Sequence, residues 1–157
     1  MHLTPERNAR RITRSGISAR GRHGGHGVYC MAMLPSFTLT HQWVRELRRS
    51  GVHTIIAVHI RIPDDEPVTV GHYGQTPRAV TAAEAVAVIR ALADPRGYEI
   101  VVPRSIRAHE IRSVRRVPQG VGWRYYPDAH GRRPCTCPMC LLRGEFGAAN
   151  LRRRFPL

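Results

Sequence analysis

Three cysteines within six residues, Cys135, Cys137 and Cys140, form the densest chemistry in the sequence. Cys-x-Cys-x-x-Cys puts three thiolates in one tight turn, and Zn²⁺ takes four S or N ligands in a tetrahedron. Clustering of this kind suits a metal better than disulfides. Pro138 can help aim the thiolates inward, and His130 is the best nearby fourth ligand. Cys30 and His109 are alternatives that only the fold could bring close. A closed four-ligand site is structural, and it would staple the arginine-rich tail to the body of the protein. Reduced, unligated thiols are the other reading.

The aromatics just before the cluster, Trp123, Tyr125 and Tyr126, and the arginines after it, Arg143, Arg152, Arg153 and Arg154, suggest two uses. They could stack bases and meet phosphates, or they could anchor the tail. Elsewhere, Asp64 and Asp65 could bind a metal, but between Pro63 and Pro67 a plain turn is the better reading. His23 and His26 sit in a glycine-rich stretch and read as solvated loop residues. That stretch is no Walker loop, because no Gly-Lys-Ser/Thr follows.

These groups need elements to position them. Thr4-Pro5-Glu6 predicts a helix start with Thr4 as N-cap and Pro5 in the first helical position. That helix runs to about Ser15 with Gly16 as its C-cap, and Ala9 and Ile12 face the core. Residues 18–27 are expected to be a loop. Residues 28–34 predict a buried strand. Residues 38–49 predict an amphipathic helix with Leu39, Trp43, Val44 and Leu47 as its apolar stripe and His41 and Arg45 solvated. Residues 52–62 predict a central strand, and residues 68–73 a further strand. Thr81-Ala82-Ala83-Glu84 is a capping box opening a helix that ends near Ala93. Residues 98–102 predict a strand carrying Glu99. Residues 106–117 begin as a helical turn and end as a strand. Short strands with few helices predict an α+β domain rather than a doubly wound sheet.

The chain has 157 residues, enough for one domain with a small appendage. It carries 25 basic residues against 11 acidic ones, a formal charge of +14, and every basic residue is arginine. Such an excess suggests an anionic partner, RNA or DNA above all. A compositional bias toward arginine, as in a GC-rich genome, would leave the same trace. No stretch of about 18 apolar residues occurs, so no membrane span is expected. No apolar leader is visible at the arginine-rich N-terminus, and the expected compartment is the cytoplasm.

Three segments, in order, carry a resemblance. His2-Leu3-Thr4 is followed by Asn8, Ile12 and Gly16-Ile17. Gly25-His26-Gly27-Val28-Tyr29 comes next, and Tyr98-Glu99-Ile100-Val101-Val102 with Ile106 comes last. Together they resemble the signatures of the ADP-ribosyltransferase superfamily, which includes the diphtheria-toxin-like and poly(ADP-ribose) polymerase enzymes. The resemblance covers most of residues 1–117. It implies a split antiparallel sheet that holds NAD⁺ in residues 1–120, to which the cysteine cluster adds a basic, zinc-stapled extension in residues 121–157. It also implies a His–Tyr–Glu triad. His2 would hydrogen-bond the adenosine ribose, with Thr4 supporting that region. Gly27 would let the backbone approach the cofactor. Tyr29 would stack on nicotinamide, and Glu99 would hold the nicotinamide-ribose 2′-hydroxyl while positive charge develops. Read as residues alone, Glu99 could instead pair with one of the many arginines, and Tyr29 could be a core aromatic.

The expected function is therefore NAD⁺-dependent ADP-ribosyl transfer to nucleic acid or a protein side chain, in a toxin, defence or RNA-processing role. A non-enzymatic zinc-containing module that binds RNA or DNA is the alternative from a different class. An NAD⁺-dependent RNA 2′-phosphotransferase would share the superfamily fold but would lean on arginines and histidines, so Glu99 argues against it.

Overall fold

The computed structural model describes residues 1–118 apart from 23, 24, 50, 53 and 74, together with Arg153. The cysteine cluster, His130 and the rest of the proposed extension except Arg153 lie outside the described residues. Within them the architecture is α+β, with two antiparallel sheets and three α-helices.

The first sheet has the order β1-β4-β8, formed by β1 (His2–Pro5), β4 (Ile55–Ile60) and β8 (Ile111–Arg116). The central strand β4 has Ile55, Ile56, Ala57 and Val58 all buried, so both of its faces meet protein. That explains a run of consecutive apolar residues where an edge strand would alternate. The second sheet has the order β2-β3-β7-β5-β6. Its strands are β2 (Arg20–Arg22), β3 (Gly25–Cys30), β5 (Pro67–His72), β6 (Arg78–Thr81) and β7 (Tyr98–Val102). Helices α1 (Ala9–Ser15), α2 (Thr38–Arg49) and α3 (Ala82–Ala91) complete the domain. One contiguous core joins both sheets to all three helices through Ile12, Val28, Leu39, Val58, Ile89 and Val102.

Several local expectations are corrected. Thr4 does not cap a helix. It is a buried strand residue opposite Ile56, and its Oγ1 accepts a hydrogen bond from Asn8 Nδ2 at 2.9 Å. Pro5 is extended (φ −56°, ψ 138°), because the fixed φ of proline suits a strand end as well as a helix start. A 3₁₀ turn, Glu6–Asn8, then leads into α1. Much of the expected loop at 18–27 is the β2–β3 hairpin, built largely of backbone pairing. Strand β6 is short and polar enough to carry no periodic signal. His41 is buried rather than solvated, because α2 sinks deeper than its apolar stripe suggests, with Phe37 6.5 Å from the imidazole.

Other local signals act as the sequence indicates. Thr81 Oγ1 accepts from the Glu84 amide at 3.3 Å, and Glu84 Oε2 accepts from the Thr81 amide at 2.8 Å, closing the capping box of α3. Gly16 ends α1 at φ 80°, and its amide donates to the Ile12 carbonyl at 2.8 Å.

Arg104 ties the two halves of the chain together. Its guanidinium binds Glu66 at 2.9 and 2.6 Å and Glu110 at 2.9 and 2.7 Å. The Arg107 amide adds a 2.7 Å bond to Glu110. The Arg104 guanidinium, followed by that amide, holds the Glu110 carboxyl at about 2, below its ordinary 4.5. The depressed value fixes the sign: stability from this pair is complete above pH 4.5 and is lost as pH falls from there toward 2. Glu110→Gln is expected to cost about 2 kcal/mol at neutral pH, the scale of a charge-assisted hydrogen bond. Urea unfolding checks the loss, and a flatter Tm against pH below 4.5 in the variant checks the cause.

Candidate active site

The site forms where the two sheets meet. The Met31 amide donates to the Met1 carbonyl at 2.8 Å, and His2 Nδ1 lies 2.7 Å from the Tyr29 carbonyl oxygen. These contacts hold β1 of the first sheet beside β3 of the second. A carbonyl only accepts, so the His2 proton sits on Nδ1. Burial, the largest influence, pushes the His2 pKa below its ordinary value, against the Tyr29 carbonyl that favours the cation. His2 is therefore neutral near pH 7, and its Nε2 keeps a lone pair that can accept from a hydroxyl.

Tyr29 pairs with Val101 across β3 and β7. Glu99 stands two residues earlier on β7, so it shares the face of Tyr29 as a diagonal neighbour, an arrangement that spans about 7–8 Å. Gly27 makes this pairing possible. A Cβ there would lie 2.5 Å from Val101 Cγ1 and 2.7 Å from the Val102 carbonyl oxygen. On its other side β7 pairs with β5, where Gly71 is opposite Glu99 and leaves that carboxylate uncovered by a cross-strand side chain.

Helix α2 covers the far wall. Trp43 Nε1 donates to the Tyr98 carbonyl at 3.1 Å, and Gln42 Oε1 accepts from the Gly97 amide at 2.6 Å. These two bonds fix the helix against the start of β7, immediately before Glu99. The open cavity there is about 430 Å³ and is lined by His2, Tyr29, Met31, Trp43, Leu47 and Glu99, among others. A second cavity, about 370 Å³, continues on the other side of His2 and Tyr29, with Thr4, Arg7, Asn8, Arg11 and Gly27 in its wall. His2, Leu3 and Tyr29 line both, so the cavities adjoin as two lobes that share these residues. Volumes of this size are typical of small-molecule sites.

Glu99 is half-buried, and burial raises its pKa above the ordinary carboxylate value, with His72 opposing. Its carboxylate makes no hydrogen bond or ion pair with a described residue. Other carboxylates are engaged: Glu66 and Glu110 by Arg104, Asp94 by Arg96, and Glu6 by Arg116. A carboxylate that pairs with none of the described arginines, inside a cavity, is a candidate functional group. Such placement costs stability. A raised pKa means the contribution is complete below the unfolded value and is lost as pH rises through the folded one. Glu99→Gln is therefore expected to raise Tm at pH 7, with the gain vanishing below pH 4.5, as differential scanning calorimetry would read.

The structure thus brings His2, Tyr29 and Glu99 to one cavity, and His2, Thr4, Gly27 and Tyr29 to the one adjoining it. Cys30 also lines the cavity with Glu99, and its thiol is pushed up to about 11 by burial. His26 and His109 are exposed, away from the groove lining. Among the described residues no group of three His, Cys, Asp or Glu could hold a metal. No helix among them is long and apolar enough to cross a membrane. A larger cavity, about 810 Å³, lies between the approach to α2 and the loop after α3, but its carboxylate, Asp94, is taken by Arg96 at 2.8 Å. Sequence reasoning missed Trp43, Leu47, Arg7 and Arg11 as groove residues. Trp43 and Leu47 lay on a helical apolar stripe, which reads as core whether it covers a sheet or a ligand.

Comparison with protein-family models, curated proteins and solved structures gives no match to this chain.

Proposed function

We propose that the groove binds NAD⁺ and transfers its ADP-ribose to an acceptor, in a split antiparallel sheet of ADP-ribosyltransferase type. The observation that carries the reading is Glu99, a half-buried carboxylate paired with no described arginine, on the same face as Tyr29 and in one cavity with it and His2. The nicotinamide end takes the lobe with Tyr29, Trp43 and Glu99, where an aromatic face can orient the leaving ring. The adenosine end takes the lobe with His2 and Thr4. Neutral His2 accepts from a ribose hydroxyl through Nε2, and Arg7 and Arg11 supply charge toward the pyrophosphate.

The chemistry is cleavage of the N-glycosidic bond. Its electron pair passes to the pyridinium ring, which leaves as neutral nicotinamide, and positive charge grows on the ribose C1′ and ring oxygen. Glu99 as carboxylate accepts from the ribose 2′-hydroxyl and stabilises that charge, which is full only in the transition state. A nucleophile from the acceptor then bonds to C1′ and loses its proton.

Binding tests the two lobes separately. Calorimetry with NAD⁺ and with ADP-ribose is expected to show both binding the wild type. Tyr29→Ala should weaken NAD⁺ by about 0.5–1.5 kcal/mol, the worth of a stacked aromatic, and ADP-ribose far less. Failure of both ligands to bind would sink the proposal in favour of a non-enzymatic RNA- or DNA-binding module. The reading also includes one structural Zn²⁺ per chain on Cys135, Cys137, Cys140 and His130, which elemental analysis of reduced protein would detect.

A further inference from the structure

We propose that the acceptor is a single-stranded nucleic acid laid along an arginine face formed by α1 and β8, a proposal that rests on the NAD⁺ reading of the groove beside it. The face is defined by how α1 is pinned at both ends. At its C-terminal end, Ile17 and Ile106 exchange backbone hydrogen bonds of 2.8 and 2.9 Å, and Gly16 packs against the backbone of residues 106–108. At its N-terminal end, Glu6 meets Arg116 of β8 at 3.5 Å. The helix therefore runs beside the segment from Arg107 to Arg116.

Exposed arginines lie on both members: Arg10, Arg11 and Arg14 on α1, and Arg107 and Arg112 on the segment beside it. Arg112 is the extra residue of a β-bulge, since Ser113 pairs with His59 but Ile111 pairs with Ile60. Bulges re-aim the side chain that they insert. The carboxylates in this region are both neutralised, Glu6 by Arg116 and Glu110 by Arg104. The contrast lies at α3, where Asp64 and Glu84 lie at the helix start. Charge is segregated, not merely abundant.

The face also reaches the lobe that the NAD⁺ reading gives to adenosine and pyrophosphate, which adjoins the lobe with Glu99. Arg11 belongs both to the exposed side of α1 and to the groove wall that it shares with His2 and Tyr29. A row of guanidinium forks matches a phosphate backbone better than it matches scattered acidic side chains. A base buried in a duplex cannot reach a nucleophile's position beside Glu99, whereas an unpaired one can swing in.

The test uses the full chain and fluorescently labelled 12-nucleotide single strands, one of RNA and one of DNA, across a salt series. Binding in anisotropy should weaken with salt. Arg10→Gln with Arg14→Gln should make the slope of log K against log salt shallower by about 1.4, from about 0.7 per lost phosphate contact. Arg78→Gln with Arg90→Gln removes the same charge on the α3 side and should leave the slope as it was. A preference between the RNA and DNA strands identifies the source, and either supports the proposal. With NAD⁺ labelled in its ADP-ribose, the label should appear on the single strand and not on the same strand annealed to its complement. Equal binding by the two double variants would overturn the proposal. So would a poly-glutamate peptide that competes as well as the oligonucleotide, or label found only on protein. If no nicotinamide is released, the NAD⁺ reading has failed, and the anisotropy contrast still decides whether this face holds nucleic acid.

Discussion

Glu99→Gln is expected to slow nicotinamide release by about 10²–10³-fold in kcat, the range for removing one preorganised group that meets transition-state charge. KM should change little, because glutamine keeps the shape and can still accept from the ribose 2′-hydroxyl. Loss in kcat with KM held is the mark of an interaction made only in the transition state. Glu99→Ala removes the acceptor as well and should raise KM in addition. The pH profile gives an independent check. The active form is the carboxylate, and burial raises its pKa above the ordinary value. Activity should therefore rise with pH along a limb displaced upward from the ordinary carboxylate range, and Glu99→Gln should lose that limb. The same substitution is expected to stabilise the fold at pH 7, so the loss of rate cannot be ascribed to unfolding.

The second large effect is structural. Gly16→Ala is expected to destabilise the protein by about 2–6 kcal/mol. The lower part of that range comes from φ 80° and ψ −166°, a region essentially reserved for glycine at about 1–3 kcal/mol. The remainder comes from a Cβ driven into the Ile106 carbonyl, where backbone must move, at about 1–3 kcal/mol for overpacking. Marginal stabilities of about 5–15 kcal/mol leave little room for such a loss. Chemical denaturation should show a lower midpoint. Because Gly16 joins α1 to the segment before β8, NAD⁺ binding should weaken in the same variant even where it remains folded.

How much was legible in the sequence follows from what each signal depends on. Local chemistry was readable: the capping box at Thr81 and Glu84, the glycine at the end of α1, and the strand bearing Glu99 all rest on interactions a few residues apart. The architectural class was readable from the pattern of short strands. The end of β1 was not, because Pro5 suits a strand end and a helix start equally, and only pairing with Ile55 decides between them. The β2–β3 hairpin was hidden because glycine-rich backbone carries no hydrophobic period. His41 was misplaced because burial depth belongs to the tertiary packing of α2, not to its own sequence. Of the groove, His2, Thr4, Gly27, Tyr29 and Glu99 were found through motif order, while Trp43, Arg7 and Arg11 enter it only because the chain brings distant segments together.

The groove's assignment to NAD⁺ is tested most directly by incubating the full chain with NAD⁺ labelled in its nicotinamide ring and measuring free nicotinamide, beside Glu99→Gln. The account predicts release by the wild type, in the presence of single-stranded RNA or DNA, that falls at least about a hundredfold in the variant. Intact NAD⁺ after incubation with stoichiometric protein and acceptor, or equal release by both chains, would contradict it.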